Sequence, residues 1–146
     1  MKNISTDYEK DFHAWTLENA ALLRQRRFAE IDVENIAEEL ENMGRGERHE
    51  LLNRLAVLLA HLLKWRFQPA RRGNRWKYTI EEQRRRIKRL LDENPSLTSR
   101  LEKAFENAYG DAILIAAREI DCDKGTFPND CPFTQQQTLN SEYWPD

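Results

Sequence analysis

Between Leu51 and Trp65, the residues Leu51, Leu55, Leu58, Leu62 and Trp65 recur at spacings of four, three, four and three, with Leu52, Leu59 and Leu63 beside them. Only an α-helix brings such positions onto one face, and a face this wide has to be covered by other elements. The stretch is too short to span a bilayer, and Arg54 and Lys64 near its ends would be costly in lipid. It therefore predicts a buried central helix, and the rest of the chain must supply its cover.

A chain of 146 residues can bury about two-thirds of its unfolded surface, so one helical domain over residues 1–146 is expected without disulfide support. No convincing run of alternating β-branched residues occurs, which points to an all-α fold: a bundle of about five helices with an aromatic C-terminal tail. Cys122 and Cys131 lack the close Cys or His spacing of a zinc site and are expected as free thiols. No cofactor or metal is expected. With no apolar signal region in MKNISTDYEKDF and no stretch of about eighteen apolar residues, a cytoplasmic protein without membrane attachment is the expectation.

The net charge of −2 hides a segregated layout. Residues 1–63 carry −4, residues 64–91 carry +9 and residues 92–146 carry −7. A middle this basic either binds an anionic partner or docks onto the chain's own acidic helices.

Helix signals order the remainder. Thr6 with Glu9 forms a capping box for a first helix over about Asp7 to Arg26, with Tyr8, Phe12, Trp15, Leu22 and Leu23 on one face. Asn19 shares that face and must find a neighbouring backbone or a solvent edge; His13 projects the other way. Asp32 caps a second, acidic helix with Val33, Ile36, Ala37, Leu40 and Met43 as its stripe and Gly44 as its stop. Glu39 and Glu41 flank that stripe, whereas Glu38 points to water. The leucine helix then begins near Arg45 or Gly46 and ends by Gln68, before Pro69. His61 falls beside Val57 and Trp65 at the edge of the leucine face.

Residues 68–78 form a basic, aromatic loop, and Thr79 with Glu82 makes a capping box for the next helix. Ile80, Ile87, Leu90 and Leu91 define its inner face, which also contains Gln83 and Arg84. A buried guanidinium without a partner costs several kcal/mol, so Arg84 calls for a carboxylate, with Glu39 or Glu41 the candidates. Glu81 to Arg85 and Glu82 to Arg86 are pairs four residues apart, each worth about 0.2–0.5 kcal/mol. Arg71, Arg72, Arg75, Lys88 and Arg89 are left as the free cations. Asn94-Pro95 starts a last long helix with two apolar faces, in which Gly110 allows a kink or a close helix crossing. The tail should form a turn capped by Thr134 with Gln137 and fold back through Phe127, Phe133, Tyr143 and Trp144.

The segments YEKDFHAW, ENIAEELENMG, LLAHLLKWRFQP, TIEEQRRRI and FPNDCPFT resemble the bacterial family known as domain of unknown function family 29. The resemblance spans nearly the whole chain. It implies a small, all-helical bacterial protein that stands alone, and it implies no reaction, cofactor or partner.

Three readings of function follow. A helical interaction or scaffold protein, with a protein partner or a second copy, accounts for the caps, stripes and inter-helix charges. Nucleic-acid or other polyanion binding would use the segment 64–89, where Trp65, Trp76 and Tyr78 interleave with Arg71, Arg72, Arg75, Arg84, Arg85, Arg86, Lys88 and Arg89. Hydrolytic or metal-dependent chemistry would rest on His61 with a helix-2 glutamate, Glu38 or Glu39, or with His49. No phosphate-cradling glycine loop, nucleophile elbow or HExxH motif is present.

Overall fold

The first helix starts where a side chain can take up its free N–H groups. In the computed structural model, which describes residues 7–146, that residue is Asp11, whose carboxylate accepts from the Ala14 amide at 3.0 Å. Helix α1 accordingly spans Phe12–Arg24, five residues shorter at its start than the periodicity suggests. Residues 7–10 form a turn in which Asp7 accepts from the Glu9 amide at 2.8 Å, and the expected cap at Thr6 lies outside the described residues. α1 ends as Arg27 N–H reaches back to the Leu22 carbonyl and Arg26 N–H to that of Leu23, each at 3.0 Å. This closure puts Arg26 at a φ of 61°, a left-handed position that glycine usually fills.

A 3₁₀ turn over Phe28–Glu30 leads to Asp32, which caps the next helix as expected: its side chain accepts from the Asn35 amide at 3.4 Å and its carbonyl from Ile36 at 2.9 Å. The stop expected at Gly44 does not occur. α2 runs over Val33–Phe67, 35 residues that join the two helices expected on either side of that glycine. Gly44 and Gly46 both keep negative φ, and no atom lies within 4 Å of where a Cβ would stand. Without the left-handed turn at the position after the helix, a glycine only lowers helix propensity, and the leucine register carries the helix on.

The chain divides into two compact units, one ending at Arg45 and one over Gly46–Asp146. In the N-terminal unit, Trp15 and Asn19 are the buried residues of α1, and no residue of α2 up to Arg45 is buried. In the C-terminal unit, Leu51, Leu55, Leu58, Leu59, Leu62 and Leu63 are fully enclosed, as the stripe requires.

Their cover comes from α3 (Asn74–Glu93), α4 (Leu101–Ile120) and the tail with its short α5 (Gln135–Leu139). α3 begins at Asn74 rather than after Thr79, so Trp76 and Tyr78 belong to its first turns. The Thr79 hydroxyl donates to the Arg75 carbonyl four residues back, at 2.9 Å, and the expected box with Glu82 is absent. Ile80, Ile87 and Leu90 are buried on its inner face, with Arg84 among them. A 3₁₀ segment over Pro95–Arg100 delays α4, both apolar faces of which are covered. Gly110 is exposed with no atom within 4 Å of a Cβ position, so no close helix crossing uses it.

The tail folds back as expected. Thr134 and Gln137 form the capping box, and Phe127 packs on Phe67 while Trp144 packs on Trp65, at centroid distances of 5.5 and 4.8 Å. Cys122 and Cys131 are free. The fold is all-α, with five α-helices and no strand among the described residues. None of its helices is long and apolar enough to cross a membrane.

Candidate functional site

The N-terminal unit is held at one polar hub. Asp32 accepts from the Trp15 indole N–H at 2.8 Å, and its own amide donates to the Asn19 side chain at 2.8 Å. The Asn19 amide group donates to the Trp15 carbonyl at 3.0 Å, so the buried amide meets the neighbouring backbone, as its position demanded. Tyr8 donates to Glu39 and stacks edge-on against Phe12 and Trp15. That hydrogen bond, with lesser contributions from burial and nearby carboxylates, raises the Tyr8 phenol to about 12. Glu38 and Glu41 are exposed.

Around this hub the apolar surface stays open. Phe12, Leu17, Leu23, Phe28, Val33, Leu40 and Met43 are exposed, the last two at 62% and 67%. Among the described residues of the C-terminal unit, Tyr78 and Leu114 are the comparable cases. Val33, Leu40 and Met43 lie on one face of α2, the face expected to be packed.

The basic segment is largely committed within the C-terminal unit. Arg84 is 5% exposed, but its partner is neither Glu39 nor Glu41. Its Nε donates to the Thr138 carbonyl at 2.9 Å and an Nη to that of Gln137 at 3.3 Å, with the Trp144 ring 5.5 Å from the guanidinium carbon. Two carbonyl dipoles and an indole face take the place of the expected carboxylate. Burial lowers the pKa of this guanidinium, while the nearby Tyr143 works the other way.

Arg72, expected to be free, donates to the Trp65 carbonyl at 2.6 Å and to that of Pro145 at 3.4 Å, and lies over the Trp65 ring. Lys88, also expected to be free, pairs with Asp92 at 2.9 Å. The Glu82–Arg86 pair forms at 3.0 Å, whereas Glu81 and Arg85 do not pair. Arg71, Arg75, Arg85 and Arg89 remain exposed without an ion pair among the described residues. Trp65 and Trp76 are half-buried against the core, so both aromatics anchor the fold.

Lys64, which the sequence marks only as a charge near the end of the leucine helix, is 3% exposed and ion-paired with Glu119. The Lys64 ammonium also sits 5.0 Å from the Trp76 ring centre and 3.4 Å from His61 Nε2. His61 Nδ1 is 2.9 Å from the Val57 carbonyl, so Nδ1 carries the proton and Nε2 accepts. Burial lowers the His61 pKa, outweighing the Val57 carbonyl that favours the cation. Burial works to raise that of Glu119, but the Lys64 hydrogen bond and charge leave it below the usual carboxylate range. The sequence carries little signal for this network, because Lys64 shares a helical face with Asn53, which is exposed; the burial of this end of the helix and the approach of Glu119 are tertiary. His61 thus meets Val57 and Lys64, and Glu39 meets Tyr8. No group of three or more His, Cys, Asp or Glu side chains gathers as a metal site among the described residues.

Beside Arg84 lies an open groove of about 780 Å³ between α3 and residues 139–142. Arg85, Lys88, Leu91 and Leu139 line it as well.

No curated protein and no solved structure matches the chain. The family model for the domain of unknown function DUF29 matches residues 8–144, which takes in both units almost completely, and the chain belongs to that family.

Proposed function

We propose that the protein is a helical interaction protein whose N-terminal unit receives a protein partner, a basic segment carrying apolar anchors. The observation behind this reading is the concentration of exposed large apolar side chains in that unit, seven of them, against two described in the C-terminal unit. Scattered apolar residues are ordinary, but a helix face that stays open along Val33, Leu40 and Met43 is the usual mark of a docking surface. Over residues 7–45, ten carboxylates face five basic side chains, which favours a partner of positive charge. Polyanion binding is less well supported, because Lys64, Arg72 and Arg84 have intramolecular partners.

The test compares the wild-type chain with a Leu40→Lys, Met43→Lys double variant. The wild-type chain should retain a basic partner by cross-linking that the variant loses, while the variant keeps the same thermal midpoint. A chain that is strictly monomeric at high concentration and retains no partner beyond those of the variant would overturn the proposal.

A further inference from the structure

Arg84 is a buried cation without a counterion. It is 5% exposed, forms no ion pair, and its Nη1, closed off from solvent, has no hydrogen-bond acceptor among the described residues, so the charge acts on its surroundings through its field. Removing a charge from water is costly, and charged groups this deep are normally paired. Two backbone carbonyls and the Trp144 face offset part of that cost, yet none of them carries a full negative charge. Arg84 is also part of the wall of the groove between α3 and residues 139–142. A low-dielectric wall with a positive charge set in it favours an anion in the space beside it.

The other walls define what kind of anion fits. Arg85 lines the groove, is exposed and has no ion pair among the described residues, so it is available to a ligand. Leu91 and Leu139 supply apolar surface, and Asn140 and Ser141 supply polar groups at the tail side. Three carboxylates also line it: Asp92 is neutralised by Lys88, whereas Glu81 and Glu142 have no cationic partner. These last two balance Arg84 and Arg85 in number and would repel a polyanionic backbone laid along the groove, so the ligand is limited to one negative group, held at Arg85. At about 780 Å³ the groove has the size of a small-molecule site.

We infer that this groove binds a small amphiphilic monoanion, a carboxylate on an apolar body, with the carboxylate at Arg85, in the field of the buried Arg84 charge, and the body along Leu91 and Leu139. The site lies wholly in the C-terminal unit and does not rest on the partner surface proposed for the N-terminal unit.

Octanoate is the probe, and the readout is amide NMR of the full chain. Saturable shifts should appear at residues 139–142 and along α3 near Arg85. Octanamide, the neutral analogue, should bind about ten- to a hundredfold more weakly, the factor expected for loss of a hydrogen bond to a charged group. Arg85→Gln, an exposed substitution that leaves the core untouched, should weaken octanoate about tenfold without changing the spectrum elsewhere. Absence of saturable shifts with millimolar octanoate, equal binding of octanamide, equal competition by inorganic phosphate, or an unchanged affinity in Arg85→Gln would each overturn the inference.

Discussion

Leu40 and Leu59 both sit on apolar stripes of the same helix, yet Leu40 is 62% exposed and Leu59 is wholly enclosed. The residue type and the helical spacing are alike. The difference lies in what the rest of each unit supplies. The C-terminal unit brings α3, α4 and an aromatic tail onto its leucines, whereas the N-terminal unit is closed by hydrogen bonds around Asp32 and leaves its stripe open. An apolar stripe shows that a face wants cover; it does not say whether the cover comes from the same chain.

The sharpest way to break this contrast is to truncate both leucines. Leu59→Ala should cost about 2–5 kcal/mol in urea unfolding, since it removes buried methyl groups and leaves a cavity. Leu40→Ala should change stability by no more than about 0.5 kcal/mol, as for an ordinary surface site. Comparable losses at both positions would mean that the N-terminal stripe is covered within the folded chain.

Titration should separate the units next. The folded His61 pKa is lowered, so its neutral form is favoured, and the full stability is present above the unfolded value of about 6.5. As pH falls below that value the unfolded chain takes up the proton first, and stability declines until the folded pKa is reached, by at most about 1.4 kcal/mol per pH unit for one proton. Glu119, whose folded pKa is lowered, contributes in the same direction at lower pH. The urea midpoint should therefore fall below about pH 6.5 in the wild-type chain and stay flatter in His61→Gln. In the N-terminal unit the sign is opposite: Tyr8 is raised from 10.0 to about 12, so its contribution is lost as pH rises through that window. Ultraviolet titration of tyrosine, wild type against Tyr8→Phe, should show one phenol ionising late.

The smallest effect bears on the helix that belongs to both units. Because α2 continues through Gly44, Gly44→Ala should stabilise the chain by about 0.5–1 kcal/mol, as Ala fits the same backbone with less entropy to lose. A helix that ended there with a left-handed glycine would instead be destabilised by Ala.

Much of the architecture was legible because its signals are local. The leucine spacing identified the six enclosed leucines, Asp32 identified a cap, and Thr134 with Gln137 identified a capping box. Gly44 and Thr79 misled because a glycine or a threonine has more than one use: Gly44 keeps an ordinary helical φ, and the Thr79 hydroxyl turns back into its own helix. Among the candidate residues, the inward placement of Arg84 could be read from its helical face, but its partners could not. Thr138 and Gln137 lie more than fifty residues away and offer backbone carbonyls, which every residue carries and no residue type announces.

The sequence by itself determined the all-α class, the central leucine helix and the caps, since helical periodicity and capping depend on residues within a turn or two of each other. Only the tertiary structure decided that Lys64 and Arg84 are buried with distant partners, that Arg85 is left unpaired beside a groove, and that the apolar face of the N-terminal unit stays open. Those outcomes depend on which surfaces meet, and burial and charge pairing are properties of the meeting rather than of either segment alone.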